Sequence, residues 1–232
     1  MLRDTRKNAA YFQKYLDCQN KRIASFKTKA DELIKKDGED HPGVIKIYSF
    51  IANFLKDKFI ASYSSGDSKD ELDNIFVEMV KYYNRLPEIC YSDLLDLASI
   101  CVLLKPEEDC RTIVTGLLSN CIQKDMLLDG LHNYIDSGTF DTNAAIEFVD
   151  IYGPLYPVIK SADKTTKENL LCAYVNDFWY NANKESAWFD AHLSTENTYV
   201  GYWCFVGAAL AVALDLDLEI IRRILYIPSD FF

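Results

Sequence analysis

An all-α fold follows from three features of the 232-residue sequence. Apolar residues recur at three- and four-residue spacing through most of its length, the pattern of one-sided helices. Only 9 Gly and 6 Pro occur, mostly at the ends of such runs, which fits long helices joined by short links. No stretch alternates apolar and polar residues in the rhythm of a strand, and no hairpin signal is present. The expected arrangement is an N-terminal three-helix bundle over residues 1–87. It is expected to pack on a C-terminal multi-helix domain, residues 88–232, built around one buried central helix.

The first helix is expected from about Lys7 to Lys36, with Phe12, Leu16, Ile23, Phe26, Ala30 and Leu33 on one face. Asp37, Gly38 and the pair His41-Pro42 stop it. A second runs from about Val44 to Ser62, and Ser64-Ser65-Gly66-Asp67 makes a turn. The third turns Leu72, Ile75, Phe76, Met79, Val80 and Tyr83 inward and ends at Pro87. Three such amphipathic helices bury one another as a bundle.

Beyond Pro87 the helices shorten. Tyr91 to Leu104, Glu107 to Asn120 and Asp125 to Ile135 are expected in turn. Asp141 or Thr142 is positioned to cap a helix through Phe148, and Asp163 or Thr165 one that reaches Trp179-Tyr180. The most apolar run is Tyr199 to Leu214, uncharged until Asp215. A helix apolar on all sides has no solvent face and belongs inside a protein. Ser194, Thr195 and Asn197 stand before it as candidate caps. The run is short of the roughly 20 apolar residues of a membrane span, so a core helix is expected. Trp203 is expected in the core, with Trp179 and Trp188 beside it. No apolar signal core follows Met1, because Arg3, Asp4, Arg6 and Lys7 interrupt it, and the expected location is the cytoplasm.

Seven cysteines, an odd number with no C-x-x-C pair, suggest neither a disulfide framework nor a zinc knuckle. Buried, reduced thiols are expected. The net charge is −10 and is unevenly placed: residues 117–232 carry 7 Lys+Arg against 16 Asp+Glu. Such a surface repels phosphate, which speaks against direct nucleic-acid binding, and it steers a basic protein toward itself. The same charge also serves simple solubility. The candidate partner-binding acids are Asp190, Glu196, Asp215, Asp217 and Glu219, which flank the apolar run.

Catalytic spacing is not found. There is no phosphate-binding glycine loop, no H-E-x-x-H and no nucleophile elbow. No catalytic, metal or cofactor residues are therefore assigned. His192 lies near Asp190 and Glu196, but a metal needs more convergent ligands than these, and capping or hydrogen bonding is the expected role. A metal-dependent hydrolase built on His192 is the remote alternative. Trp179, Tyr180, Trp188 and Phe189 offer faces on which a base can stack. In an acidic setting, packing against the apolar run is expected instead.

Several segments resemble the PoNi immunity proteins. Arg3-Asp4-Thr5 followed by Phe12, Tyr15 and Ile23 resembles the family's start, as does Ala61-Ser62-Tyr63-Ser64-Ser65-Gly66 with Glu71-Leu72. Tyr91-Ser92-Asp93-Leu94-Leu95 with Leu103-Leu104 is similar to the opening of its C-terminal domain. Phe178-Trp179-Tyr180, Trp188-Phe189 with His192, and Gly201-Tyr202-Trp203-Cys204-Phe205 resemble its central signature, and Tyr226-x-Pro228-x-Asp230 its tail. These signature residues are expected to be structural. Where the family usually has an acid after Gly-Tyr-Trp-x-Phe, this chain has Val206.

The resemblance implies an immunity protein and antitoxin acting in bacterial competition. Such proteins protect against PoNe toxins, DNA-cleaving effectors often delivered by type VI secretion. It implies neutralisation of a cognate PoNe-type DNase by stoichiometric binding in the cytoplasm, without catalysis, cofactor, membrane or direct nucleic-acid contact. The alternative is an all-α adaptor or scaffold that binds another basic partner.

Overall fold

A computed structural model describes residues 1–119 and 124–232. Every regular element among them is helical. The chain forms two compact units, Met1–Ile89 with Asp190–Gly201, and Cys90–Phe189 with Tyr202–Phe232.

In the first unit, α1 (Ala9–Asp37) packs along α2 (Pro42–Ser65), and α2 along α3 (Lys69–Tyr83). Each boundary has a local cause. Asn8 caps α1 by accepting from the Tyr11 amide. Pro42 at the first position of α2 lacks only an amide that would have no helical partner. Ser68 and Glu71 form a reciprocal capping box on α3. Gly66 ends α2 in the left-handed region at φ 93°, which glycine enters without strain. Phe12, Ile51, Leu55, Phe59, Phe76 and Met79 fill the interior.

The segment Asp190–Gly201 belongs to this unit through a buried polar network. The Tyr199 hydroxyl donates to Asp4, which is 2% exposed. Asp4 also accepts from the Arg6 backbone at 2.8 Å and from its guanidinium at 3.2 Å. Tyr11 exchanges bonds with Tyr199, its hydroxyl donating to the carbonyl at 3.0 Å and accepting from the amide at 2.8 Å. Ser64 Oγ donates to the Val200 carbonyl at 2.6 Å. Arg3 lies over the Tyr63 ring and donates to the carbonyls of Tyr63 and Asp67 at 2.9 Å. There its charge suits the negative end of α2.

In the second unit, α4 (Tyr91–Leu104) is buried over most of its surface. It packs against α5 (Glu108–Leu118), α6 (Met126–Ser137) and α11 (Phe205–Ala213). Expected end residue Asn120 and the thiol of Cys121 lie outside the described residues. The short helices α7 (Val149–Tyr152) and α8 (Leu155–Lys160) lead to α9 (Lys164–Ala173), capped by Asp163. The chain then passes through a π-helical stretch, Tyr174–Trp179, into α10 (Tyr180–Ala182). The tail carries α12 (Leu218–Ile221).

Several expectations are corrected. The apolar run is not one helix: residues 199–204 form no regular element, Gly201 stands at φ 122°, and only Phe205–Ala213 is helical. Tyr199 is held by Asp4 and Tyr11, and the Cys204 amide donates to the Tyr226 carbonyl at 2.7 Å, so the backbone bonds across the chain instead of within it. Ser194, Thr195 and Asn197 therefore cap nothing in α11, whose N-terminus at Cys204 has no side-chain cap. The run still lines the interior, since Ala208 to Ala211 are fully buried. Trp203 is only half-buried, while its neighbours Tyr202 and Cys204 are buried. The thiols also divide: Cys101, Cys110 and Cys204 are buried, Cys18 and Cys172 partly so, and Cys90 is exposed.

No helix is built at Thr139–Phe148. Asp141 caps nothing there, and Thr142 Oγ1 donates to buried Asp129 at 2.6 Å. Asn133 and Lys160 bind the carbonyls of Asp141 and Thr142 at 2.6 and 3.0 Å. The Met126 amide donates to the Ala145 carbonyl at 2.8 Å. The Phe140 ring occupies the space above Gly130 where a Cβ would stand, which accounts for a glycine inside α6.

Asp4→Asn keeps the side chain's shape but removes the charge and one acceptor from the Arg6 and Tyr199 donors. Leaving a buried donor poorly matched costs about 1–3 kcal/mol, so urea unfolding of the variant should show a loss of that size. Wild-type stability would place Asp4 outside the determinants of the first unit.

Candidate functional site

The conspicuous aromatic assembly of the second unit is built on the π-helical stretch and the non-helical segment after Gly201. Trp179, 7% exposed, stacks on Trp188 at 5.5 Å between ring centres and packs on Tyr226 at 5.3 Å. Tyr180 sits at the centre, against Phe189 at 4.6 Å, Tyr202 at 5.0 Å, Tyr226 at 5.4 Å and Trp188 at 6.0 Å. The π turn places Tyr174 near Phe178, at 5.9 Å, and then presents Trp179 and Tyr180 together. These rings are occupied by one another. Pro228 is buried beside this tail, and Asp230 is exposed. Val206 is 6% exposed in the first turn of α11, so the departure from the acidic residue lies in the packed interior.

His192 falls in the first unit, where its ring meets Tyr199 at 6.0 Å. Among the described residues no group of three or more His, Cys, Asp or Glu side chains converges as a metal site. Nor is any described helix long and apolar enough to cross a membrane. The first unit has an open groove of about 610 Å³ lined by Lys27, Asp31, Tyr48, Glu78, Tyr82 and Arg85, among others. Its Lys27 pairs with Glu78, and Arg85 pairs with Glu39 at 2.8 Å, so these two cations are matched within the chain.

The acidic candidates divide between the units. Asp190 and Glu196 are exposed in the first, and Asp215, Asp217 and Glu219 are exposed in the second. Asp190 and Asp215 adopt left-handed backbone at φ 54° and 52°, a conformation Asp and Asn tolerate better than other side chains. The three in the second unit are partly matched locally. Asp215 lies 3.8 Å from Lys164, Asp217 caps α12, and Glu219 pairs with Arg222 at 2.5 Å.

A second constellation lies around the start of α4. Asp125, 1% exposed, caps α6 through the Leu127 and Leu128 amides at 2.9 and 3.0 Å. It also accepts from the Tyr91 hydroxyl at 3.0 Å and from the Glu147 amide at 2.9 Å. Tyr91 in turn carries Phe148 at 4.3 Å and Tyr152 at 5.8 Å. Burial, reinforced by the Asp125 carboxylate, pushes the Tyr91 phenol well above its ordinary range. Burial does the same to Tyr152, with Asp96 adding to it, and to Tyr174 and the Cys204 thiol. Sequence reasoning did not anticipate this cluster. The available signal was Asp125 as a cap, directly after Lys124, the last cation before Lys160.

These observations define a protein of two units whose regular elements, among the described residues, are all helical. The chain belongs to the PoNe immunity protein (PoNi) family. The family's N-terminal model matches residues 3–115 and its C-terminal model residues 123–231. The fold is similar to that of protein PA2201 from Pseudomonas aeruginosa, known from a crystal structure. The two share 16% identity at a TM-score of 0.62, over 100% of this chain and 98% of that one. No curated protein matches the chain in sequence.

Two outcomes follow. Trp179→Ala should cost about 3–5 kcal/mol, as large core truncations do, and half-buried Trp203→Ala should cost less. Equal losses on urea unfolding would contradict this placement of the rings. The raised Tyr and Cys groups set an alkaline limit. Above the ordinary values of 9.0 for Cys and 10.0 for Tyr, the unfolded chain releases protons that the folded chain retains. Stability is therefore fully present below that range and falls as pH rises through it. A Tm that is level to about pH 9 and then declines is expected. In Tyr91→Phe the Tm should be lower at pH 8 and the alkaline decline shallower. A Tm unchanged to pH 11 would contradict the buried phenols.

Proposed function

We propose that this chain is an immunity protein that binds a cognate PoNe-type DNase toxin and neutralises it as a stoichiometric complex. The carrying observation is the match to both halves of the PoNi family, from residue 3 to residue 231. Several of the residues that resemble the family's signature here contact one another or other interior groups, Asp4 with Tyr199 in one unit and Trp179, Tyr180 and Tyr226 in the other. Inhibition then depends on surface and not on catalysis. The protein is proposed to act in the bacterial cytoplasm, where an incoming DNase meets its DNA, and to serve competition fought by type VI secretion.

The acidity supports this reading. A nuclease must hold a polyanion, so its substrate face is cationic. A surface with 16 carboxylates against 7 cations over residues 117–232 complements such a face and repels DNA. Asp190, Glu196, Asp215, Asp217 and Glu219 are proposed as rim contacts. Exposed rim charges mostly set the association rate.

The test is titration of purified toxin nuclease domain with this protein in a DNA-cleavage assay. Cleavage should vanish near one equivalent, and an unrelated protein of equal charge should leave it intact. Undiminished cleavage at tenfold excess would overturn the proposal. For the rim, Asp190→Asn and Asp215→Asn remove charge while keeping a residue suited to left-handed backbone. Together with Glu219→Gln they should slow association and flatten its salt dependence while leaving dissociation unchanged. The control is Asp70→Asn, because Glu71 caps α3 and its loss would perturb folding. Equal slowing by Asp70→Asn would move the rim to the surface of α3.

A further inference from the structure

One stretch of the second unit combines exposed apolar side chains with uncompensated negative charge. Phe148, Val149 and Tyr156 are 42%, 63% and 51% exposed. They sit within nine positions: Phe148 directly before α7, Val149 at its first position, and Tyr156 in α8 after the Gly153-Pro154 turn. From residue 125 to residue 159 the chain contains no Lys or Arg. It contains six carboxylates there. Asp125 and Asp129 are buried, and Asp136, Asp141, Glu147 and Asp150 are exposed. Glu147 and Asp150 directly flank the Phe148-Val149 pair.

The backbone beneath is fixed, so a partner would meet a preformed surface. Asp125 holds the Glu147 amide, and the Phe148 ring rests on Tyr91. Lys160, the first cation after the stretch, is turned back onto the Thr142 carbonyl at 3.0 Å. Preorganisation of this kind lowers the ordering cost of association.

Other exposed apolar side chains have different electrostatic surroundings. Phe50 belongs to a ring trio with Phe26 and Phe54, over which Lys29 and Arg22 lie at 4.8 and 6.0 Å. Ile220 and Leu225 flank Arg222 and Arg223 in sequence. Leu193 adjoins Ser194, whose carbonyl accepts from the Lys7 ammonium at 3.5 Å. A basic partner is repelled by such cations and attracted where there are none.

We propose that the surface formed by Phe148, Val149 and Tyr156, with Glu147 and Asp150 beside them, is the centre of the toxin interface. Its occupant is the basic, DNA-binding face of the nuclease, and the assignment rests on the function proposed above. Exposed aromatic and aliphatic anchors enclosed by charge form the part of an interface where binding energy concentrates. Covering the nuclease's cationic face there would exclude DNA directly.

The experiment measures binding kinetics of the full chain with the toxin's nuclease domain. Val149→Ser with Tyr156→Ser removes anchors that are mostly in solvent, so circular dichroism and Tm should stay as in wild type. Kd should rise at least tenfold, chiefly through faster dissociation. Glu147→Gln with Asp150→Asn should instead slow association and weaken its dependence on salt. If wild type binds and both double variants bind within twofold of it, this interface is overturned while the proposed function stands. A wild type that binds no toxin overturns both. Inhibition of DNA cleavage lost in parallel with binding by the Val149/Tyr156 variant, and retained by Asp70→Asn on exposed α3 surface, supports the assignment.

Discussion

The second unit depends on one carboxylate. Asp125 is buried, and an ionised group removed from water is costly unless donors surround it. Four do: two amides of the first turn of α6, the Tyr91 hydroxyl at the start of α4, and the Glu147 amide. One side chain thereby starts a helix, fixes its angle to a neighbour and anchors the irregular segment after it. Removing the acid would leave these donors without their partner, at about 1–3 kcal/mol for each that stays dry. The exposed Phe148-Val149 pair is attached directly to this anchor, so its position follows from the core.

The first unit uses the same device. Asp4 collects the Arg6 and Tyr199 donors and so joins Asp190–Gly201 to the stretch before α1, nearly two hundred positions earlier in the chain. In both units the network is interior, and the surface is left to recognition. That separation suits an inhibitor. The interior keeps each unit's shape, while exposed apolar and acidic residues are free to match a particular toxin.

The helices of the first unit and α4 to α6 were legible because periodicity, caps and breakers agreed. Ser68 with Glu71, Pro42 and Gly66 are all readable as ends. The non-helical course of residues 199–204 was not legible. Apolar composition there signals burial, but bonds from Tyr199 to Asp4 and from Cys204 to the Tyr226 carbonyl decide the backbone, and those partners are remote in sequence. The loop over 139–148 was misread for a related reason. Thr142 has the chemistry of a cap, yet its hydroxyl is taken by Asp129. Nothing in the periodicity marks Asp190–Gly201 as part of the first unit. The acidic bias of the second half was visible from composition. That its cation-free part coincides with exposed anchors needed the burial of each side chain.

Amide hydrogen exchange of the protein, free and bound to the toxin's nuclease domain, tests the central claim most directly. Slower exchange on binding across residues 145–158, fixed on Asp125 and Tyr91, is the predicted result. Slowing confined to the helices of the first unit, with residues 145–158 exchanging as they do in the free protein, would contradict it.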